Sequence, residues 1–361
     1  AASVAATNGQ VNWAVSGLSD TPAGAWRVVC LENTNIWAQT TNFFAIRNTN
    51  LNLFVGTADT NENVYAEGPG QPDNWMASSN APLNSLRLAF ERFDLEPGDR
   101  IWVDTGTYAE SSPILIGLKD TGTSNNPIRV TGNSSGPYTR TILKRTSRTA
   151  GAIGIRLVYA NGFLFDSLVV SNAHTGVHLE NSQAISLDRV RVGYCVTNAV
   201  YAGANTRLDI ARSILDQNLG IGFQTTTGAV VTVQNCLIRS NSVADCLMRG
   251  GRVEIKNSIL EAVGSQAKIY HLAGNNQLDS DYNNIRATDG ANVAGGENRT
   301  SDRFLIDWQA STAFSNDVNS FGYDALFANE GALDFHLKSR FGRFDPATGM
   351  FTTNDTETSR L

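Results

Sequence analysis

Three residues capable of proton and charge chemistry recur one structural repeat apart: Arg156, His178 and Tyr201, each in a short alternating run (GIRLV, GVHLE, AVYAG), with Glu180 two residues after the histidine. A guanidinium can clamp a carboxylate or sulfate through its planar fork. An imidazole can accept a proton, and a guanidinium beside it disfavours a second positive charge there. A phenol can donate to a leaving oxygen or lay its ring on a sugar face. The set suits chemistry on an acidic, hydroxyl-rich polymer, provided that the fold makes neighbours of residues so far apart in the chain.

A repeat supplies that proximity. An eight-residue block recurs as FLFDSLVV from 163, ISLDRVRV from 185, LDIARSIL from 208, VTVQNCLI from 231, VEIKNSIL from 253 and LDSDYNNI from 278, so that successive starts differ by 22, 23, 23, 22 and 25 residues. A second strand precedes each block, its first apolar residue lying 7 to 10 residues upstream of the block start. A unit this short, built of strands without helical periodicity, cannot bury its apolar face alone and must stack on copies of itself. Two strands this close belong to different parallel sheets, with pairing between coils spaced ~4.8 Å apart. An all-β parallel β-helix is the expected fold.

Earlier, less regular coils are expected at DRIWVDTGTY, PILIGL, NPIRVTG and RTILKR, from residue 99 to 145. Before them, Leu83, Leu86, Phe90 and Phe93 fall at helical spacing and stop at Pro97-Gly98, predicting a helix that caps the open N-terminal end. The expected organisation is residues 1–58 as an N-terminal β cap or the end of a preceding domain, 59–300 as the β-helix, and 301–361 as a C-terminal extension folded over the last coils.

LEPGDRIWVDTGTY, the following ILIGLKDTGTSNNPIRVTG and the recurring coils resemble the right-handed parallel β-helix superfamily, the pectate-lyase-like fold, over roughly residues 60–300. The tail DALFANEGALDFHLKSRFGR resembles the closing segment of β-helix modules in large secreted or cell-surface bacterial proteins. The resemblance implies polysaccharide lyases, glycoside hydrolases, epimerases, esterases or non-catalytic adhesive modules, since a shared fold does not carry function. None of those families' catalytic segments stands in this sequence, whether the aspartate cluster of polygalacturonases, the WiDH-like segment of pectate lyases or the DPHE of mannuronan epimerases. No residue role is therefore carried over.

Position alone then nominates a site. With Val177 facing inward, one outward column is expected to read Arg156, His178, Tyr201, Gly222, Leu247, Tyr270, and the next Val158, Glu180, Gly203, Gln224, Arg249, Leu272. Arg156, His178 and Tyr201 are the candidate catalytic residues. Glu180, Gln224, Arg249 and Tyr270 are candidate substrate contacts, around a depression left by Gly203 and Gly222. Polar outward columns also arise simply because cross-strand pairs stabilise sheets.

The expected partner is an extended, acidic polysaccharide. β-Elimination leads; a non-catalytic adhesive module and glycoside hydrolysis are the alternatives, the last weakened because Glu180 has no carboxylate partner in these columns. A net charge of -6 argues against nucleic acid. No apolar run approaches a membrane span. No cofactor is implied and no metal set is assigned; calcium is possible at outward aspartates, Asp166, Asp188 and Asp281 in one column and Asp209 and Asp279 beside it. The four cysteines, Cys30, Cys195, Cys236 and Cys246, are too few for a disulfide framework, and Cys236 and Cys246 are expected as buried thiols. A secreted or cell-surface monomer is expected, and the polar end TTNDTETSRL favours a piece cut from a longer chain.

Overall fold

The computed structural model describes residues 49–74, 76–133, 141–297, 299–311, 316–345 and 348–361, together with Asn35 and four short strands between Thr21 and Ile46. Cys30 lies outside the described residues.

Strands stack in parallel into three sheets. Sheet 1 includes Ile153–Val158, Thr175–Glu180, Asn198–Ala202, Ile221–Thr225, Ala244–Met248, Lys268–Leu272 and Asn292–Gly296. Sheet 2 begins with Asn52–Val55 and Arg100–Val103 and continues through Asn161–Asp166 to Asn276–Asp281. Sheet 3 includes Thr141–Arg145, Val169–Ser171, Arg191–Gly193 and Ile214–Asp216, and ends at Asn284–Thr288. Each rung visits the sheets in the order 1, 2, 3 before rising to the next.

The third sheet corrects the expectation of two strands per coil. Each eight-residue block is two strands joined at a sharp corner. Its fifth residue, in turn Ser167, Arg189, Arg212, Asn235, Asn257 and Tyr282, has φ between +48° and +59°. One left-handed residue turns the chain sharply enough to start a new sheet, at a steric cost of about 1–2 kcal/mol for an ordinary side chain. Only two of these corners carry asparagine, so the bend leaves little trace in composition. A second column of such corners, Asn172, Tyr194, Gln217 and Ser240, leads from sheet 3 back to sheet 1.

The core is the stack of inward side chains. On sheet 1 it runs Ile155, Val177, Val200, Phe223, Cys246, Tyr270 and Ala294, paired rung to rung and all buried. Each large apolar residue so buried contributes roughly 1.5–3 kcal/mol. Cys195, Cys236 and Cys246 are free, buried thiols.

Both ends are closed. The expected N-terminal helix is Leu86–Arg92 (α1), burying Leu86, Ala89 and Phe90, with Phe90 6.2 Å from Phe163 ring to ring. A second, unanticipated helix, Leu305–Ala310 (α2), seals the other end: its buried Trp308 packs 5.4 Å from Tyr270 and donates to Asp317 at 2.8 Å. The remaining C-terminal segment holds two antiparallel strand pairs, Arg343–Asp345 with Met350–Thr352 and the hairpin Phe327–Asn329 with Asp334–Leu337, whose Phe327 and Phe335 pack against Ile214, Leu237 and Ile259 of sheet 3. No described helix is long and apolar enough to cross a membrane.

Candidate functional site

The outer face of sheet 1 carries the candidate residues. Arg156 pairs with His178, His178 with Tyr201, and Tyr201 with Gln224, so the three candidate catalytic side chains occupy one column on consecutive rungs. Arg156 is exposed, while His178, Tyr201 and Gln224 are half-buried. The imidazole of His178 stacks on the Tyr201 ring at 4.6 Å with 23° between planes. Its Nε2 lies 3.2 Å from Glu180 Oε1 and makes no aligned hydrogen bond there. The contact is therefore electrostatic, and Glu180 is placed to stabilise a positive charge arising on the ring.

Further along, two expected members leave the column. Tyr270 faces inward: it pairs with Cys246, is fully buried and shares a 2.8 Å hydrogen bond with Ser280. Its neighbour His271 takes the outward place opposite Leu247. Gly222 is likewise inward. A Cβ there would meet Asp245 O at 2.5 Å and Ile238 Cγ2 at 2.9 Å, so this glycine serves corner packing and not an external depression. Gln224, expected in the second column, stands in the first.

The cause is a misplaced anchor. Alignment on the first apolar residue of each run slips by two residues at GIGFQ and by one at KIYHL. Counting back eight residues from the block starts at 231 and 278 lands on the inward Phe223 and Tyr270, which puts Gln224 in its proper column and reveals His271.

Gly203 does lie beside Glu180, but its space is filled. A Cβ on it would meet Glu180 Cγ at 2.9 Å and Tyr201 Cε1 at 3.2 Å, so the glycine lets the glutamate side chain lie flat against the strand. The site is accordingly a ribbed face with a side-chain ladder, and the floor expected between Gly203 and Gly222 is not bare. Arg249, in the second column about 14 Å along the solenoid from Glu180, is exposed and 3.5 Å from Glu297. His271 lies near Lys268 and Arg249; burial first, and these two cations second, lower its pKa below the ordinary histidine value, and its Nδ1 is buried without a partner.

Asp166, Asp188 and Asp281, the outward aspartates of one sheet 2 column, are engaged by arginines and an asparagine, and Asp279 beside them lies 3.4 Å from Lys256. Asp166 accepts from Arg189 at 2.9 and 2.6 Å, Asp188 from Arg212 at 2.8 Å, and Asp281 from Asn319 at 2.7 Å. Among the described residues, no group of three or more His, Cys, Asp or Glu side chains could hold a metal ion.

Residues 116–285 match the family profile described as Right handed beta helix region. No curated protein matches the sequence. Among solved structures, a pectate lyase, Pel9A, is similar at 12% identity and a TM-score of 0.46, covering 78% of this chain and 84% of that one. A rhamnogalacturonan lyase aligns at 12% identity and a TM-score of 0.42, over 86% of this chain and 97% of that one. An alginate lyase from Paenibacillus sp. str. FPU-7 aligns at 13% identity and a TM-score of 0.38, over 66% and 95% respectively. Likeness at this level gives no side chain a role.

Proposed function

Taking this chain as a right-handed parallel β-helix protein, we propose that the outer face of sheet 1 binds an extended acidic polysaccharide and cleaves it by β-elimination. The observation that supports this is the single column Arg156, His178, Tyr201, Gln224, with one side chain per rung. A rung rises ~4.8 Å, comparable to one sugar unit, so a chain laid along the solenoid would meet a different group at each step.

Arg156 pairs with the carboxylate of a uronate unit and draws electron density from the carbon beside it, acidifying its proton. His178 removes that proton, and Glu180, 3.2 Å from its Nε2, stabilises the imidazolium formed. The C–H electron pair becomes a C=C bond and the glycosidic C–O bond breaks. Tyr201 donates to the departing oxygen, leaving one unsaturated and one reducing end. Gln224 and His271 extend the binding face along the polymer. An extracellular polymer as substrate would put the protein outside the cell.

A second reading has its own support. His178 is already in contact with both Tyr201 and Glu180, as it would be in a face that only binds. Hydrolysis by paired carboxylates is less suited, because the neighbours of Glu180 in its column are Val158 and Gly203.

Incubation with a panel of uronate polymers separates these. Ultraviolet absorbance of an unsaturated product, lost in His178→Ala, is the expected result; new reducing ends without that absorbance would point to hydrolysis. Saturable binding without product would leave a carbohydrate-binding module, and neither binding nor product would end the proposal.

A further inference from the structure

On another face of the solenoid, the C-terminal hairpin leans on sheet 3 and leaves a cavity of about 580 Å³, within the range of small-molecule sites. Ile142, Val169 and Ile214 form an apolar floor. Arg189, Arg191, Tyr194, Arg212 and His336 stand around it.

Two features make this more than a gap between packed elements. First, the guanidinium groups are fixed. Arg189 and Arg212 occupy equivalent left-handed corners one rung apart, with φ of +52° and +48°. Each is gripped through Nε and Nη2 by an aspartate of sheet 2, Asp166 and Asp188. That grip uses one edge of each planar fork and leaves the Nη1 edge for another acceptor. Arg191 is held in the same way by the buried Asp216 at 2.8 Å and lies 5.5 Å from the centre of the Tyr194 ring.

Second, the imidazole is oriented. His336 Nδ1 lies 2.6 Å from Asp334 Oδ1, and Asp334 is itself held by Arg343 at 3.4 Å, so Nε2 is the nitrogen left for a ligand. Asp334 is buried while the His336 side chain is 44% exposed. The gripping aspartates offset much of the positive charge, which makes the cavity selective for a directional acceptor more than for charge alone.

We propose that this cavity is a second site, separate from the sheet 1 face, for a small organic oxyanion: a carboxylate or sulfate ester on a ring or short chain. The oxyanion bridges Arg189 and Arg212, the apolar part lies on Ile142, Val169 and Ile214, and His336 contacts the polar edge. The experiment is a calorimetric titration of the whole protein with benzoate, glucuronate and phenyl sulfate, whose relative affinities separate carboxylate from sulfate. Saturable binding in the millimolar range or tighter is expected. It should weaken about tenfold or more in Arg212→Gln, corresponding to about 1.4 kcal/mol, and stay unchanged in Arg156→Ala on the other face. Arg212 is 62% exposed and its loss should leave the fold intact; His336→Ala, remote from the sheet 2 grip, serves as the independent variant. Absence of saturation with all three probes, or affinity untouched by both substitutions in folded protein, would overturn the proposal. Neither result bears on cleavage at sheet 1.

Discussion

His178 is hemmed in by partners of opposite kind, an aromatic face at 4.6 Å and a carboxylate at 3.2 Å, with a guanidinium one rung away. Stacked ring pairs contribute roughly 0.5–1.5 kcal/mol beyond burial. Tyr201→Ala should therefore lower stability by about 1 kcal/mol in chemical denaturation and also abolish cleavage; Tyr201→Phe should keep the stability and still lose most of the rate. A different residue contributes to the acid limb of stability. Burial pushes the Asp120 carboxyl up to about 6, against the opposing pull of Lys119. Its folded form holds the proton more tightly than the unfolded chain, so this group favours folding below about 4, and that contribution is lost as pH rises through about 6. The change amounts to roughly 3 kcal/mol at most. Unfolding midpoints measured from pH 4 to 7 should show a decline that is shallower in Asp120→Asn. At this scale the sequence was partly transparent. Strict alternation exposed Arg156, His178, Tyr201 and Glu180 as outward, whereas an apolar residue that mimicked the first inward position of its strand hid His271 and put Gln224 in the wrong column.

At the scale of the elements, the left-handed corners set the shape. They convert one eight-residue block into two strands of different sheets, and they place Arg189 and Arg212 at the rim of the sheet 3 cavity. Asparagine tolerates this conformation and glycine has no steric objection to it, but a β-branched residue resists it. Asn257, exposed and at φ +53°, isolates the effect. Asn257→Val should lower the denaturation midpoint by the equivalent of about 1–2 kcal/mol, and Asn257→Gly should leave it nearly unchanged. Equal midpoints for the two variants would contradict a conformational requirement at the corner. The third sheet was not legible beforehand because its strands are only three residues long in several rungs, too short for alternation to register, and because Ser, Arg, Asn and Tyr all fill the same corner.

The whole molecule is a one-dimensional stack, so its ends carry stability out of proportion to their size. The recurrence of blocks every 22 to 25 residues made the architecture readable, because no other packing reconciles so short a strand repeat with a buried face. The α1 cap was readable from its apolar spacing. The α2 cap was not: it spans six residues, and its hold is a tertiary network in which Asp317 accepts from Trp308, Ser280, Asn283 and Ser320. Trp308→Ala should cost about 3–5 kcal/mol locally. Hydrogen exchange should then rise first in the strands Lys268–Leu272 and Asn292–Gly296, with the rungs near His178 protected longest; uniform loss of protection would argue against graded, rung-by-rung opening.

The claim that the sheet 1 column engages an acidic polymer is tested most directly by titrating an inert uronate oligomer into the wild-type protein and into Arg156→Ala, with folding verified in both. Loss of a charge-assisted hydrogen-bond pair of about 1.5–3 kcal/mol should weaken binding roughly tenfold to a hundredfold. Identical affinities for the two proteins would contradict the placement of the ligand on this face.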